Sequence, residues 1–398
     1  MFNFLVRRVF QMAIVLFLSS AASYALLSLA PGGPLSFLSS VQARLNKEDI
    51  ARIRAYFELD LDVPYRFTRW LIGWPNGPVR IGGQEYFGDM VVGCRQALEA
   101  KLVYSDGTEE TKVVGCREGQ SVTLNDLVGR AHTSKGVLFG DFGSSWQITR
   151  DRPVADLVVS RLPRTLQLML LSTFLSILIG VPLGVVSATR QYSAFDYTVT
   201  SLAFFGSSMP TFFFGLLMIL VLSITFKELG WVYLPPGNAL AIKDYVIPLI
   251  GTVKAGSTLD GILHLVMPTA VLTLFNVAGW SRFVRTSMLE VLRQDYVRTA
   301  RAKGLFERVV ISKHALRNAL IPFITIVVFS IPSAFGGAII TETVFNWPGM
   351  GRLYFDALGR TDYPVAMALL LITAFLTVLA TLLSDILYTV VDPRIRLG

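Results

Sequence analysis

The residues of this chain that could do chemistry are few, and they do not assemble into a catalyst. His264 and His314 read as isolated, and no His/Cys/Asp spacing here makes a metal site, so none is expected. No Ser, Cys or Asp has the histidine partner that nucleophilic catalysis requires. A Gly-x-x-x-x-Gly-Lys-Ser/Thr loop is also missing, so ATP hydrolysis is not expected of this chain. Two residues could join to each other. Cys94 and Cys116, the only cysteines, flank Lys101–Val114, whose alternating apolar residues around Ser105-Asp106-Gly107-Thr108 predict a β-hairpin that would bring them together. Outside the cytoplasm such a pair oxidises and persists; the alternative is two reduced, partly buried thiols.

The remaining chemistry is charge. Residues 281–317 hold nine Lys and Arg (Arg282, Arg285, Arg293, Arg298, Arg301, Lys303, Arg308, Lys313, Arg317) against Glu290, Asp295 and Glu307, a net +6 of the chain's total +8. In a soluble domain that cluster would point to nucleic acid. The elements around it exclude that reading. The chain is 53% hydrophobic and 16% charged, with a mean hydropathy of +0.54, the composition of an integral membrane protein.

A bilayer-crossing helix needs roughly 20 apolar residues. Six runs qualify, at 9–29, 165–189, 197–226, 261–281, 318–341 and 363–384, and none alternates as a barrel strand would. The fold class expected is therefore an all-α membrane protein of six transmembrane helices. Pro182, Pro210, Pro268, Pro322 and Pro332 fall in these runs, either as packing kinks or as breaks lining a translocation path. The Phe205–Pro210 stretch and the Gly336, Gly337 pair predict close helix approach. Residues 1–30 begin like a signal peptide, but their apolar core is too long and Ala-Pro-Gly-Gly-Pro is a poor cleavage site, so they are read as the first span.

Arg7 and Arg8 place the N-terminus inside by the positive-inside rule. Counting spans then puts 190–196, 281–317 and the tail Asp392-Pro-Arg394-Ile-Arg396 inside, each carrying Arg. Residues 30–164, 227–260 and 342–362 fall outside. Between Pro31 and Pro163, 16 basic and 16 acidic residues cancel. Glu342, Asn346, Trp347 and Arg352 lie in the last outer loop, which is either a re-entrant gate or a solvated amphipathic loop. Asp385 lies shallow enough in the last run to snorkel to the interface.

Within the basic segment, residues 289–303 place Leu289, Leu292, Tyr296, Thr299 or Ala300 and Lys303 on one helical face, with Arg293, Arg298 and Arg301 opposite. Gly304 follows where a helix commonly ends in a left-handed turn, and a second short helix is expected over Phe306–Leu316. A lipid-binding helix, a topogenic loop and a dock for a cytoplasmic partner all fit these charges. Only the dock calls for 35 ordered residues with an internal glycine stop.

Arg298-Thr-Ala-Arg-Ala-Lys-Gly304, within Ser287–Gly304, and His314-Ala-Leu-Arg-Asn-Ala-Leu-Ile-Pro322 resemble the oligopeptide/dipeptide family of ABC importer permeases. Further matches are Glu342-Thr-Val-Phe-Asn-Trp-Pro-Gly-Met-Gly-Arg352, Asp362-Tyr-Pro364 and Asp392-Pro-Arg394. Leu29-Ala-Pro-Gly-Gly-Pro34 and Gly140-Asp-Phe-Gly143 resemble the B-type subunit. The likeness covers 1–74 and 136–398. Residues 75–135 read as an insert, mixed or β-containing, between helices 1 and 2. The organisation expected is thus 1–30 as the first helix, 31–164 as an outer loop, and 165–398 as a five-helix core carrying the cytoplasmic loop.

The resemblance implies a type I importer permease in a bacterial or archaeal cell membrane, importing peptides by alternating access. It implies a homologous second permease subunit, two ABC ATPase subunits that use ATP and Mg, an extracytoplasmic peptide-binding protein and membrane lipid as partners, but no nucleic acid, and no cofactor on this chain. It also implies that residues 290–304 are the coupling helix, with Glu290, Asp295, Tyr296, Arg298, Thr299, Ala300, Arg301 and Gly304 as its contact set. The same architecture carrying nickel, an oligosaccharide or a modified peptide, or a membrane scaffold or sensor, are the other readings.

Overall fold

The computed structural model describes residues 2–29, 47–103, 109–130 and 134–391. Residues 30–34 of the Leu29–Pro34 motif, the hairpin turn at 105–108 and the tail motif from Asp392 lie outside the described residues.

Five described helices are long and apolar enough to cross a membrane: Val6–Leu29, Val154–Thr189, Thr211–Glu228, Thr258–Leu292 and Tyr363–Leu387. A sixth crossing is supplied by a bent pair, Glu307–Ala319 and Ile321–Ser330, which meet at 52° just before Pro322. The third run differs from expectation. It splits into Ala194–Ser208 and Thr211–Met218, because Pro210 has no N–H to donate and drives Met209 out of the helical region to φ −81°, ψ 132°. Pro163, Pro182, Pro268 and Pro332, by contrast, lie inside continuous helices.

The chain forms two compact units. One contains residues 1–16, 160–355 and 372–398. Its helices pack through Ala188, Trp280, Val284, Met288, Ala315, Ala319 and Phe323. Gly206 makes an ordinary approach, since a Cβ there would sit 3.5 Å from Ala278. A closer helix approach falls instead at Gly184, where a Cβ would come within 2.6 Å of the Ser281 carbonyl oxygen. A short hairpin, Tyr245–Ile247 with Gly251–Val253, precedes the Thr258–Leu292 helix. Asp260 fastens it, accepting from the Ala241 and Gly256 N–H groups and the Tyr245 hydroxyl. His264 is not isolated, because it lies one turn from Asp260, with Nδ1 3.0 Å from the carboxylate. Asp385 does not merely snorkel: its carboxylate accepts from Arg8 Nε at 2.8 Å.

The other unit contains 17–159 and 356–371. It carries the expected β structure as three two-stranded sheets: Val79–Ile81 with Gln84–Tyr86, Val91–Cys94 with Ser121–Thr123, and Ala97–Val103 with Glu109–Cys116. Cys94 and Cys116 are joined as a disulfide with their Cα atoms 5.3 Å apart, linking the second sheet to the third. Leu61, Val92, Val122, Leu124 and Leu127 form one apolar core. Inside it, backbone meets backbone at Gly93, where a Cβ would lie 2.0 Å from the Asp60 carbonyl oxygen. Two buried acids are paired here, Glu58 with Arg69 and Asp60 with Arg130, as charges removed from water must be.

Candidate functional site

Residues 289–303 of the basic segment, expected as one helix, are divided between two. The long Thr258–Leu292 helix carries Glu290 in its last turn, and Gln294, in extended conformation, starts a separate helix over Asp295–Ala302. This break changes which face is buried. Val297 and Ala300, three residues apart, pack with Val310, Val291 and Leu292, whereas Tyr296, Thr299 and Lys303 are exposed. The outward face is therefore Asp295, Tyr296, Arg298, Thr299 and Arg301. Asp295 in the first turn and Arg301 in the last both complement the helix dipole.

Gly304 ends the helix at φ +76°, a conformation glycine adopts without the Cβ penalty, and its N–H donates to the Arg301 carbonyl. Beyond it Arg301 reaches Glu307, with Nη2 to Oε1 at 2.7 Å. The hydrogen bonds to Glu307 hold the guanidinium of Arg301 above its usual range. Tyr296 accepts at its hydroxyl from Asn318 Nδ2 at 3.1 Å, bridging to the start of the next crossing.

One further contact has no signature in the sequence. Asp196, buried at the start of the Ala194–Ser208 helix, accepts from Arg285 Nε and Nη2 at 2.6 and 2.8 Å. Ser187 and the Tyr192 N–H also donate to it. The Arg285 hydrogen bonds hold its carboxyl well below the usual range. Arg285 was legible only as one positive charge among nine; its partner lies 89 residues away.

The four outer-loop residues come together, with Glu342 and Trp347 buried and Asn346 exposed. After the Ile321–Gly337 helix the chain turns into Ile339–Val344 and then Met350–Gly359. Glu342 is completely buried. Its carboxylate accepts from the Arg352 N–H at 2.8 Å and the Thr165 hydroxyl at 3.2 Å. Thr165 in turn accepts from the Met350 N–H. Gly349 is required, because a Cβ there would come within 2.3 Å of the carboxylate. Trp347, also fully buried, donates its indole N–H to the Arg164 carbonyl at 3.0 Å. Asn346 accepts from Arg352 and donates to Asn238. Burial pushes Glu342 up to about 7, against the lowering pull of the Arg352 and Gly351 N–H groups and Thr165.

In the other unit, Asp362 makes a second buried acid site. Its carboxylate accepts from the Ser145 hydroxyl and the N–H groups of Trp146, Gln147 and Ile148. That fixes the Asp362-Tyr-Pro364 motif beside the loop that follows Gly140-Asp-Phe-Gly143. Among the described residues no group of three His, Cys, Asp or Glu is placed to hold a metal ion.

Comparison with known proteins fits this arrangement. Residues 180–397 match the model of the binding-protein-dependent transport system inner membrane component, and residues 1–82 match the N-terminal model of such components. The chain is 46% identical over 299 residues to the oligopeptide transport system permease protein AppB of Bacillus subtilis, covering 75% of this chain and 88% of that protein. It is 40% identical over 276 residues to the dipeptide transport system permease protein DppB of Escherichia coli K12, covering 67% and 79%. Among solved structures, the inward-facing MetNI methionine ABC transporter aligns with a TM-score of 0.44 at 18% identity, over 59% of this chain and 96% of that one. With its six apolar crossings and the helix Asp295–Ala302 between the fourth and fifth of them, this chain belongs to the family of binding-protein-dependent transport system inner membrane components.

Proposed function

We propose that the chain is the membrane-spanning permease subunit of an ATP-driven ABC importer for peptides. The peptide cargo rests on the relatives named for oligopeptide and dipeptide transport. Its partners are a homologous second permease, two ATPase subunits that bind and hydrolyse ATP with Mg, and an extracytoplasmic peptide-binding protein. The chain itself binds no nucleotide. Both termini are cytoplasmic and the 75–135 insert lies outside. The Arg8–Asp385 bond supports the shared side of the termini, because it joins the start of the first helix to the end of the last.

The observation that carries this reading is the Asp295–Ala302 helix. Val297 and Ala300 fix it to the protein, while Asp295, Tyr296, Arg298, Thr299 and Arg301 face outward. A short helix tied at both ends to membrane crossings transmits rigid-body motion of a seated partner, switching the path between outward and inward access. Glu342, Asn346, Trp347 and Arg352 close the opposite mouth as an outer gate.

The test is peptide uptake and ATP hydrolysis by the complete complex in proteoliposomes. Arg301→Glu should leave assembly partly intact and cut peptide-stimulated ATP hydrolysis and uptake together. Uptake at the wild-type rate would remove the coupling role.

A further inference from the structure

The loop between the third and fourth crossings, from the end of Thr211–Glu228 to the start of Thr258–Leu292, holds large apolar side chains in the open. Leu249 is 98% exposed and Ile242 91%. Leu249 stands at the tip of the hairpin Tyr245–Ile247 with Gly251–Val253, and Ile242 precedes its first strand. Strand alternation gives this hairpin two faces. Ile247 and Val253 are buried in one apolar cluster with Tyr233 and Leu263, whereas Val246 is 63% exposed and leads to the exposed tip residues Leu249 and Ile250. An exposed apolar face of this kind marks a protein or membrane contact.

The fourth crossing is a ruler that decides between them. Its residues 261–281 contain no Asp, Glu, Lys or Arg and are bounded by Asp260 and Arg282. At about 1.5 Å per residue that run spans roughly 30 Å, the thickness of the hydrocarbon core, so Asp260 and Arg282 mark its two boundaries. The hairpin is fastened at the first mark. Asp260 accepts from the Ala241 and Gly256 N–H groups and the Tyr245 hydroxyl, and the cluster of Ile247 and Val253 includes Leu263, one turn further into the run. The hairpin therefore lies alongside the first turns of the crossing, at headgroup level.

The surrounding side chains suit that level. Lys243 and Lys254, exposed at the base of either strand, carry ammonium groups that reach phosphates while their apolar stems follow the boundary. Trp231, exposed just past the end of the third crossing, is of the type that concentrates there. Leu259 and Ile262, on the turns that carry Asp260, are exposed as well, so helix and hairpin share one apolar surface at this depth. The backbone also tolerates it. The strands pair with each other at Tyr245–Val253, Val246–Thr252 and Ile247–Gly251, and the polar groups of the tip are met by interfacial water and headgroups.

We propose that the Tyr245–Val253 hairpin is an interfacial membrane anchor, with Leu249 and Ile250 seated among the lipid headgroups and upper acyl chains and with Lys243 and Lys254 on the phosphates. The assignment goes beyond the transport reading and does not depend on it, on the cargo or on which side of the bilayer the loop occupies.

Depth-dependent quenching tests it on the full-length chain in nanodiscs of dioleoylphosphatidylcholine and dioleoylphosphatidylglycerol, where both faces are open to solutes. Leu249→Cys is labelled with an environment-sensitive fluorophore; Cys94 and Cys116 are joined to each other and do not take the label. Glu85→Cys, on the exposed strand Gln84–Tyr86, gives the water reference. The label of Leu249→Cys should emit to the blue of the reference, lose emission to phosphatidylcholine spin-labelled at the top of its acyl chains, and resist iodide, which quenches the reference. Val246→Cys, on the same face, serves as the measure if Leu249→Cys does not fold. Iodide quenching equal to that of the reference would overturn the anchor. Protection from both quenchers would overturn lipid as the occupant and give the face to a protein contact.

Discussion

Arg285 grips Asp196 through two parallel hydrogen bonds of 2.6 and 2.8 Å, tying the helix that leads to Asp295–Ala302 to the start of the Ala194–Ser208 helix. Because Asp196 is buried and takes further bonds from Ser187 and the Tyr192 N–H, removing Arg285 leaves a buried carboxylate without its counter-charge. Arg285→Ala should therefore cost about 3 kcal/mol, seen as a lower unfolding midpoint in detergent. Asp196→Asn, which keeps most hydrogen bonds, should cost less. The carboxyl is depressed in the folded state, so the contribution is complete above the unfolded carboxylate range, near pH ~4, and is lost as pH falls below it. A wild-type midpoint that declines no more steeply in acid than that of Asp196→Asn would rule this out.

Gly304 permits a graded test. Its φ of +76° costs an alanine about 1 kcal/mol and is closed to proline, whose ring fixes φ near −65°. A Cβ would meet nothing within 4 Å, so the penalty is conformational and not steric. Gly304→Ala should keep most uptake, whereas Gly304→Pro should abolish it while the chain still inserts. Peptide uptake in proteoliposomes, set beside the amount of inserted protein, separates the two.

The six crossings and the basic loop were legible because apolar runs and clustered Arg are local signals. The break at Pro210 was visible as a proline, but nothing local distinguishes it from Pro182 or Pro268, which their helices absorb. The burial of Val297 in place of Tyr296 was not legible, since it depends on one extended residue, Gln294, resetting the helix phase. Partners such as Arg285 with Asp196 and Glu342 with Thr165 are 89 and 177 residues apart, and pairings at such distance have no periodicity to reveal them.

Glu342 should make stability fall as pH rises. Burial raises its carboxyl from an ordinary 4.5 to about 7, so the folded chain holds a proton that the unfolded chain releases at lower pH. Stability from this group is greatest below pH ~4.5 and declines through pH ~7. Glu342→Gln should flatten that slope in an unfolding-midpoint series from about pH 5 to about pH 8. Gly349→Ala, whose Cβ would press to 2.3 Å from the carboxylate, should lower the midpoint at every pH.

The disulfide closes a loop of 22 residues in sequence. On the chain-entropy account such a closure stabilises the fold by about 3 kcal/mol, and the benefit is confined to the unit containing the insert. Cys94→Ser/Cys116→Ser should therefore increase protease cleavage between residues 75 and 135 while peptide uptake persists. Alkylation of the denatured wild-type chain should add no mass without reductant and two adducts after reduction. Adducts before reduction would mean that the thiols are free in the cell, and would place the insert in a reducing compartment.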